Sequence, residues 1–484
     1  MLQVHNLTVK FLSGKVENEV VKKISFDLKE NKILGIVGES GSGKSVTSLS
    51  VLGLLPKNTI QEGDIFFDEK NLLKISDKEF QQIRGNKIAM IFQEPMSSLN
   101  PTLTCGSQVA EVLKQHTGLN KKEMYEEVIS LFQKVKLPLP DRIFNSYPHQ
   151  ISGGQKQRVM IAIAIACKPD LLIADEPTTA LDVTVQKEII LLLKELQKEN
   201  KMSILLISHD LSLVSEIADD VIILFMGQIV EKGNTTDIFH SPQHDYTKGL
   251  INSKPNLNQR LKKLPTVEDF IKNRIFTDVY SKKEREAYHS KIYGLKPLLE
   301  IVDVKKYFNT SDGFTKKPLI KAVDKVSFKL YEGETLGLVG ESGCGKTTLG
   351  RSIMQLEKVT SGKIFYKGKD ITHLSKTALQ NLRKEIQIIF QDPFSSLNPR
   401  ISIGNAILEP MNVHGVLSNY KERKIYVIEL LKKVGLEEDH FNKYPHEFSG
   451  GQRQRIGIAR AIALKPKIII CDESVSALDV SVQA

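Results

Sequence analysis

Apolar and polar positions along the chain follow two alternating patterns. Short apolar runs bounded by polar residues, such as 33–37 and 171–175, have the length and composition of buried strands. Between them, residues 100–150 place apolar side chains at helical spacing among Glu, Lys and Leu. The same succession returns at 335–339 and 400–447. Strands that alternate with helices predict an α/β fold with a largely parallel sheet.

A glycine-rich run shows that the chain contains an internal repeat. GESGSGKS extends from Gly38 to Ser45, and GESGCGKT extends from Gly340 to Thr347. Later motifs of the first copy recur as well, at offsets of 297 or 298 residues against 302 for the glycine-rich run. A nearly constant offset of this kind predicts two copies of one domain.

The repeat also sets the predicted domain boundaries. Domain 1 covers 1–240 and ends after a hairpin-like stretch at 221–233. A linker, or C-terminal extension of domain 1, covers 241–297, and domain 2 covers 298–484. Each domain is long enough to bury a full core.

Composition and charge narrow the class of protein. The formal net charge is +10, and residues 251–297 carry 11 Lys or Arg against 5 Asp or Glu. We interpret this segment as a solvated connector rather than a nucleic-acid groove. The longest apolar run, 159–167, is far shorter than the roughly 20 residues of a membrane helix. The N-terminus lacks the apolar core of a signal peptide.

The cysteines are scattered, and none belongs to a CxxC pair. We therefore expect free thiols in a reducing compartment and no zinc site. They are Cys105, Cys167, Cys344 and Cys471.

Each glycine-rich run matches GxxxxGK[ST], with an apolar run before it and a helical pattern after it. Backbone N–H groups of such a loop wrap phosphates, and the following helix N-terminus favours negative charge. Lys44 and Lys346 would reach the β- and γ-phosphates, and the Ser45 and Thr347 hydroxyls would bind Mg²⁺. A chance glycine-rich turn is the alternative, which two matches in register disfavour. The other candidate loop residues are Gly38, Gly41, Ser42, Gly43, Gly340, Gly343, Cys344 and Gly345.

Two apolar runs end in a pair of acidic residues. Carboxylates at the carboxyl end of a buried strand lie where an α/β sheet places ligand chemistry. Asp175 and Asp472 would hold Mg²⁺, and Glu176 and Glu473 would act as general base or orient the attacking water. The alternative is a strand followed by a solvated acidic turn. The spacing from the glycine-rich loops disfavours it.

The tetrapeptide SGGQ occurs at 152–155 and again at 449–452, each time before a helical pattern. Paired glycines permit close backbone approach, and a serine at a helix start caps the helix or donates to an anion. An ordinary N-cap accounts for this motif equally well. Its position just before the acidic strand, however, resembles the signature of the ATP-binding cassette (ABC) family, and the chain resembles that family over both halves.

In the ABC family two nucleotide-binding domains pair head to tail, so that ATP lies between the phosphate loop of one and the signature of the other. The resemblance therefore implies two composite sites that bind ATP and Mg²⁺. One site would join Lys44, Ser45, Gln93, Asp175, Glu176 and His209 to Ser449 and Gly451. The other would join Lys346, Thr347, Gln391, Asp472 and Glu473 to Ser152 and Gly154.

The resemblance assigns roles to further polar residues. Gln93 and Gln391 match the glutamine that senses Mg²⁺ and the attacking water and links the site to the transmembrane partner. His209 matches the histidine that contacts the γ-phosphate, with a core histidine as the alternative. The segments 180–182 and 477–479 match the loop that crosses between the paired domains.

The resemblance also implies an aromatic residue that stacks on adenine. Phe11 matches this position in the first copy, and either Phe308 or Tyr307 matches it in the second. Each aromatic fits a plain strand core equally well.

The second copy stops before one motif of the first. The partner of His209 is expected near position 506, which is 22 residues past Ala484. We expect domain 2 to lack this histidine and the closing strands, and we interpret the chain as a fragment of a longer one. A natural protein with one degenerate site is the alternative.

Three sequence features resemble the peptide and nickel importer branch of the family. They are QEPMSSLNP and QDPFSSLNP at 93–101 and 391–399, YPHQ and YPHE at 147–150 and 444–447, and SPQHDY at 241–246. The resemblance implies an ATPase that drives a bacterial importer for di- or oligopeptides, with nickel or glutathione as alternative cargoes. It would act at the cytoplasmic face of the inner membrane as a peripheral subunit.

The same resemblance implies two transmembrane permease subunits and an extracytoplasmic solute-binding protein as partners, with no nucleic acid. Some relatives carry a cysteine cluster for an iron–sulfur centre after the first domain. Residues 241–297 contain no cysteine, so we expect no such cluster.

Two other kinds of tandem cassette protein are alternatives. A ribosome-acting protein would have a long helical linker, whereas Pro255, Pro265 and Pro297 argue against one continuous helix. A DNA-repair protein would need a zinc module or a long coiled-coil insertion, and neither pattern occurs in the sequence.

Overall fold

The chain forms two compact units, the first extending from Met1 to Asp278 and the second beginning at Val279. This division falls inside the predicted linker 241–297, and the predicted boundaries themselves remain predictions. The computed structural model describes residues 1–13, 16–93, 98–179, 181–253, 260–274, 276, 278–308, 319–341, 343–392 and 396–475.

The first unit contains strands and helices in alternation after an initial pair of strands. Its strands are β1 (Leu2–Ser13), β2 (Val16–Leu28), β3 (Ile33–Val37), β4 (Thr59–Phe67), β5 (Lys70–Asn71), β6 (Ile88–Ile91), β7 (Leu171–Asp175), β8 (Ser203–Ser208), β9 (Asp220–Phe225) and β10 (Gln228–Asn234). Its helices are α1 (Lys44–Val51), α2 (Asp77–Ile83), α3 (Cys105–His116), α4 (Lys121–Lys134), α5 (Pro140–Phe144), α6 (Gly153–Ile165), α7 (Val183–Asn200), α8 (Leu211–Ile217), α9 (Thr235–His240), α10 (Asp245–Asn252) and α11 (Val267–Ile271).

A six-stranded sheet in the order β10-β9-β3-β8-β7-β6 forms the centre of this unit. All neighbours in it are parallel except the β9–β10 hairpin, which confirms the prediction of a largely parallel sheet. Every residue of β3, β7 and β8 is buried, as expected for strands covered on both faces. The carboxyl ends of these strands meet at one edge, so the loops that follow them lie close together.

The two faces of the central sheet pack against different layers. Leu34 and Ile36 of β3 belong to a core shared with the antiparallel sheet β2-β1-β4-β5. Ile33 and Val37 point the other way, into a core shared with helices α3, α4, α6, α7 and α8. This period of two along an apolar strand explains why the run is apolar throughout.

The helical prediction for 100–150 is confirmed by α3, α4 and α5. Helix α4 shows why the segment is helical, because Asn120 accepts from the N–H groups of Lys122 and Glu123 and so caps the first turn. After β10, helices α9, α10 and α11 are short and separate, in line with the prolines of this region.

The second unit repeats much of this order. Its strands are β11 (Leu299–Phe308), β12 (Ile320–Leu330), β13 (Ser361–Tyr366), β14 (Lys369–Asp370), β15 (Ile386–Ile389) and β16 (Ile468–Cys471). Its helices are α12 (Lys282–Tyr293), α13 (Lys346–Ile353), α14 (Lys376–Glu385), α15 (Ile403–Val413), α16 (Tyr420–Lys433) and α17 (Gly450–Ile462).

Helices α15 and α16 confirm the helical prediction for 400–447. The prediction of a strand at 335–339 is wrong, since these residues lie outside any strand and Val339 is 93% exposed. In the first unit the corresponding strand β3 is hydrogen-bonded between β8 and β9. Among the described residues of the second unit no strand pairs with 335–339, and an apolar run becomes a strand only where a partner accepts its backbone hydrogen bonds.

None of the helices formed by the described residues is both long enough and apolar enough to cross a bilayer.

Candidate functional site

The loop between β3 and α1 is the first element of the site. Gly43 ends the loop with φ of +100°, a left-handed conformation that favours glycine, and a Cβ there would lie 3.1 Å from the Val20 carbonyl oxygen. Lys44 opens the helix, and its side chain is almost fully buried at 5% exposure. Its Nζ donates to the carbonyl oxygens of Gly38 and Glu39, both at 2.8 Å. The loop therefore closes around the ammonium group.

Ser45 and Asp175 bring two oxygen atoms together beside this loop. The Ser45 hydroxyl donates to Oδ1 of Asp175 at 3.2 Å. Asp175 is the last residue of β7 and is buried. Burial raises the pKa of Asp175 to about 6, against the opposing effect of the Ser45 hydrogen bond. A nearby cation would stabilise the ionised form of this buried carboxylate.

Glu176 is the centre of a cluster of hydrogen bonds. It has a left-handed backbone with φ of +46°, and its N–H donates to the carbonyl oxygen of Ile207 on β8 at 2.9 Å. Its Oε2 accepts from Gln93 Nε2 at 2.9 Å and from the Thr179 hydroxyl at 2.9 Å. His209 Nδ1 lies 3.1 Å from the same oxygen. We call these four residues (Glu176, Gln93, Thr179 and His209) the Glu176 cluster.

The Glu176 cluster fixes the charge of its carboxylate. Burial alone would raise the pKa of Glu176, but the hydrogen bond and charge of His209 and the charge of Lys44 outweigh it and lower the pKa to about 2. The Glu176 hydrogen bond in turn raises the pKa of His209, against the effect of burial. The neighbouring carboxylates of Asp175 and Glu176 therefore have pKa values shifted in opposite directions, which is typical of sites with divided roles.

The signature residues of the first unit lie at the start of α6. The Ser152 hydroxyl accepts from the N–H of Gln155 at 3.3 Å, and Gln155 Oε1 accepts from the N–H of Ser152 at 3.0 Å. A Cβ at Gly154 would lie 3.0 Å from Val185 Cγ1. The hydrogen bonds of Ser152 thus cap its own helix, and this residue is not part of the Glu176 cluster.

The phosphate loop of the second unit has the same internal contacts. Lys346 Nζ donates to the carbonyl oxygens of Gly340 at 2.7 Å and Glu341 at 2.9 Å. Gly345 has φ of +101°, as Gly43 does in the first loop. Cys344 stands where the first loop has Ser42 and is exposed.

The two carboxylates of the second unit accept hydrogen bonds from two other candidate site residues. The Thr347 hydroxyl donates to Asp472 Oδ1 at 2.8 Å, and Gln391 Nε2 donates to Glu473 Oε2 at 2.6 Å. Ser449 caps α17 by accepting from the N–H of Gln452 at 3.3 Å, which puts Gly451 in the first turn. These hydrogen bonds of the second unit have the same partners, by motif position, as the corresponding hydrogen bonds of the first.

The aromatic candidates lie on the antiparallel sheets. Phe11 is half-buried on β1 and packs against the core beneath it. Phe308 lies on β11 with Lys306 Nζ 4.7 Å from its ring centroid, and the Tyr307 hydroxyl donates to Asp324 Oδ1 at 2.5 Å. Their role in binding adenine stays a prediction.

Some predicted motif residues lie outside the described part of the chain. They are residues 94–97 and 393–395 of the importer-branch motifs, Ala180 of the first crossing loop, and 477–479, the whole of the second. Leu181 and Asp182 are described, and Asp182 caps α7 by accepting from the N–H of Val185 at 3.0 Å.

Two residues beside the site were not predicted. Thr179 completes the Glu176 cluster, and the only signal for it is a hydroxyl three residues after the carboxylate. Tyr246 accepts at its Oη from the N–H of Glu39 in the phosphate loop, at 3.0 Å. It lies within SPQHDY, a run that the sequence marks only as a branch feature.

The sequence matches the ABC transporter family at residues 21–179 and 323–476. The chain belongs to the ABC transporter family. Residues 230–273 also match the C-terminal region of oligopeptide/dipeptide transporters. These matches confirm the predicted ABC fold, the tandem ATP-binding domains and the ATPase activity, and they do not favour the ribosome or DNA-repair alternatives.

Relatives of this ABC protein are similar over its whole length. It is 45% identical to the glutathione import ATP-binding protein GsiA of Escherichia coli O6:H1 and to that of Shigella boydii serotype 4. Each alignment covers 100% of this chain and 78% of the relative. Among solved structures, the dimeric ATP-binding cassette MJ0796 bound to ADP and Pi is 29% identical, over 49% of this chain and 99% of that chain, with a TM-score of 0.44.

Proposed function

We propose that this ABC ATPase energises the import of small peptides, with the tripeptide glutathione as the first cargo to test. The observation that carries the proposal is whole-chain similarity to glutathione import ATP-binding proteins. The match of 230–273 to the C-terminal region of oligopeptide/dipeptide transporters supports a peptide cargo. Di- and oligopeptides are the wider cargo class.

In the proposed mechanism, the first phosphate loop binds the triphosphate of ATP. Lys44, held at the loop by Gly38 and Glu39, would turn its ammonium group to the β- and γ-phosphates. The loop N–H groups and the N-terminus of α1 would complete the binding of negative charge. The buried position of Lys44 strengthens this attraction, because the local dielectric constant is lower than that of water.

Glu176 would then act on the attacking water as a general base or by orientation. Its low pKa keeps the carboxylate ionised, and Gln93, Thr179 and His209 hold Oε2 in one place. The second carboxylate oxygen would accept a hydrogen bond from the water molecule. His209 would in addition contact the γ-phosphate, so that it would link the bound nucleotide to Glu176.

The residues beside the loop fit a magnesium ion. Ser45 Oγ and Asp175 Oδ1 lie 3.2 Å apart, and hydroxyl and carboxylate oxygens are ligands that Mg²⁺ accepts alongside nucleotide phosphates. The bound metal would offset negative charge on the phosphates. Thr347 and Asp472 offer the same pair in the second unit.

Ser45→Ala is expected to raise the Mg²⁺ concentration for half-maximal ATPase activity by about ten-fold, because one oxygen ligand is lost. The measurement is an Mg²⁺ titration of ATP hydrolysis at fixed ATP. Ser215→Ala is the control, since the Ser215 hydroxyl lies on α8 and donates to the Ser212 carbonyl of the same helix at 2.7 Å. An unchanged Mg²⁺ titration in Ser45→Ala would contradict the proposed ligand.

Each complete ATP site would be shared between two nucleotide-binding domains. Ser449 and Gly451 would complete the site around Lys44. Ser152 and Gly154 would complete the site around Lys346. In each cap the serine hydroxyl acts as a hydrogen-bond acceptor. Its proton can therefore be donated to an anion.

The proposal also includes the setting of the protein. The chain would be a peripheral subunit at the cytoplasmic face of the bacterial cell membrane. Two transmembrane permease subunits would carry the cargo, and an extracytoplasmic solute-binding protein would select it. The segments that follow Gln93 and Gln391 would transmit ATP binding to the permeases.

Uptake by cells of the source organism tests the proposed cargo. Deletion of the gene is expected to abolish uptake of labelled glutathione at low external concentration, and the intact gene should restore it. A copy with Glu176→Gln should not, because import needs hydrolysis. Labelled di- and oligopeptides and nickel serve as competing cargoes. Glutathione uptake that survives deletion, with loss of another cargo, would reassign the importer.

A further inference from the structure

Tyr246 connects the C-terminal extension of the first domain to the phosphate loop. It lies on α10, inside the transporter-specific match at 230–273 and outside the ABC match at 21–179. Its ring is fully buried at 0% exposure and packs on Phe225 of β9, with ring centroids 4.1 Å apart. Its Oη accepts from the N–H of Glu39 at 3.0 Å. A helix in the region that matches oligopeptide/dipeptide transporters thus contacts the phosphate loop of the first domain.

The contact acts on one peptide group that also contacts Lys44. The N–H of Glu39 and the C=O of Gly38 belong to the same planar, trans peptide group and point in opposite directions. Tyr246 Oη holds the N–H end at 3.0 Å, and the Gly38 oxygen accepts from Lys44 Nζ at 2.8 Å. A hydrogen bond at one end of a peptide group orients the group and strengthens its carbonyl as an acceptor. Tyr246 and the Lys44 ammonium are therefore linked through two hydrogen bonds.

The position of Tyr246 is itself fixed from the core. Glu231 on β10 accepts through its two carboxylate oxygens from the N–H of Gln243 at 2.8 Å and the N–H of His244 at 3.1 Å. His244 caps α10, with Nδ1 accepting from the N–H of Tyr246 at 3.2 Å. The path from β10 to Tyr246 is thus anchored at consecutive residues before the helix begins.

We propose that Tyr246 is a positioning residue of the first ATP site. Through the peptide group between Gly38 and Glu39 it sets the position of the Lys44 ammonium, and so the C-terminal extension sets the affinity of this site for ATP. The inference rests on the proposed role of Lys44 in binding phosphate.

Tyr246→Phe tests this role because it removes the hydroxyl and keeps the ring that packs on Phe225. In the full chain with Lys346→Ala, which silences the second loop, titration calorimetry with Mg²⁺ and a nonhydrolysable ATP analogue reports the first site. We expect the dissociation constant to rise about five-fold or more, since the Glu39 N–H loses its acceptor. Tyr125→Phe is the matched control, because its hydroxyl donates to Asp141 at 2.7 Å on an exposed surface.

A double-mutant cycle with Lys44→Ala separates positioning from general destabilisation. If Tyr246 acts through Lys44, adding Tyr246→Phe to Lys44→Ala should change the dissociation constant by less than about two-fold. An equal factor in both backgrounds, or a Tyr246→Phe effect no larger than that of Tyr125→Phe, would overturn the inference. If Lys44→Ala alone leaves affinity unchanged, the proposed phosphate site fails as well, so the two failures are distinguishable.

Discussion

Glu176→Gln is expected to lower the ATPase rate of the chain by at least about a hundred-fold while ATP binding survives. The variant keeps the size of the side chain and removes the negative charge that would activate or orient water. It also loses the charge-assisted contact with His209 Nδ1, now at 3.1 Å. The contacts of Lys44 with the phosphate loop do not involve Glu176, so the affinity for ATP should stay within a few-fold of the native value.

The measurement pairs steady-state ATP hydrolysis with equilibrium ATP binding on the same preparation. Glu195→Gln is the matched control, because Glu195 is an exposed residue of α7 whose carboxylate pairs with Lys136 at 2.6 Å. Its turnover should equal that of the native chain. Native turnover in Glu176→Gln would remove Glu176 from the proposed chemistry, and equal losses of turnover and binding would assign it to nucleotide binding instead.

The parts of the site carried by short contiguous motifs could be predicted from the sequence. The pair of Ser45 and Asp175 follows from motif identity, because the sheet brings the carboxyl ends of β3 and β7 to one edge. Thr347 and Asp472 repeat the motifs and form the same pair. The convergence of groups on a single oxygen of Glu176 could not be predicted. It depends on side-chain directions set by a left-handed residue, which no sequence spacing reports.

Contacts between segments far apart in the chain could not be predicted from the sequence either. Tyr246 and Glu39 are 207 positions apart, and their hydrogen bond joins a helix after the last strand of the sheet to a loop after β3. Neither residue has a neighbour pattern that indicates the other. Adjacent carboxylates pose a similar problem, since burial and His209 shift the pKa values of Asp175 and Glu176 in opposite directions.

The strand prediction at 335–339 shows the limit of apolar patterning. The sequence TLGLV resembles ILGIV of β3. Among the described residues, β3 has a strand on each side to accept and donate backbone hydrogen bonds, whereas 335–339 has none. Patterning reports which residues would suit a buried strand, whereas pairing decides whether the strand forms.

Lys44→Ala is expected to weaken ATP binding at the first site by about ten- to a hundred-fold, the usual worth of a hydrogen bond between charged groups. The measurement is the same calorimetric titration in the Lys346→Ala background. Alanine also removes the donor for the Gly38 and Glu39 carbonyl oxygens and leaves a small void, so loss of affinity alone could report a loosened loop.

Lys44→Met separates these causes, because methionine fills most of the lysine volume without its charge. If attraction between charges is the cause, Lys44→Met and Lys44→Ala should weaken ATP binding by the same factor. Added salt should then reduce the difference in affinity between each variant and the native chain, since salt screens charge but not packing. Lys198→Ala, an exposed change on α7, should leave affinity unchanged. Near-native affinity in Lys44→Met would mean that packing, not charge, is what Lys44 contributes, and the assignment of the loop to phosphate binding would then have to be withdrawn.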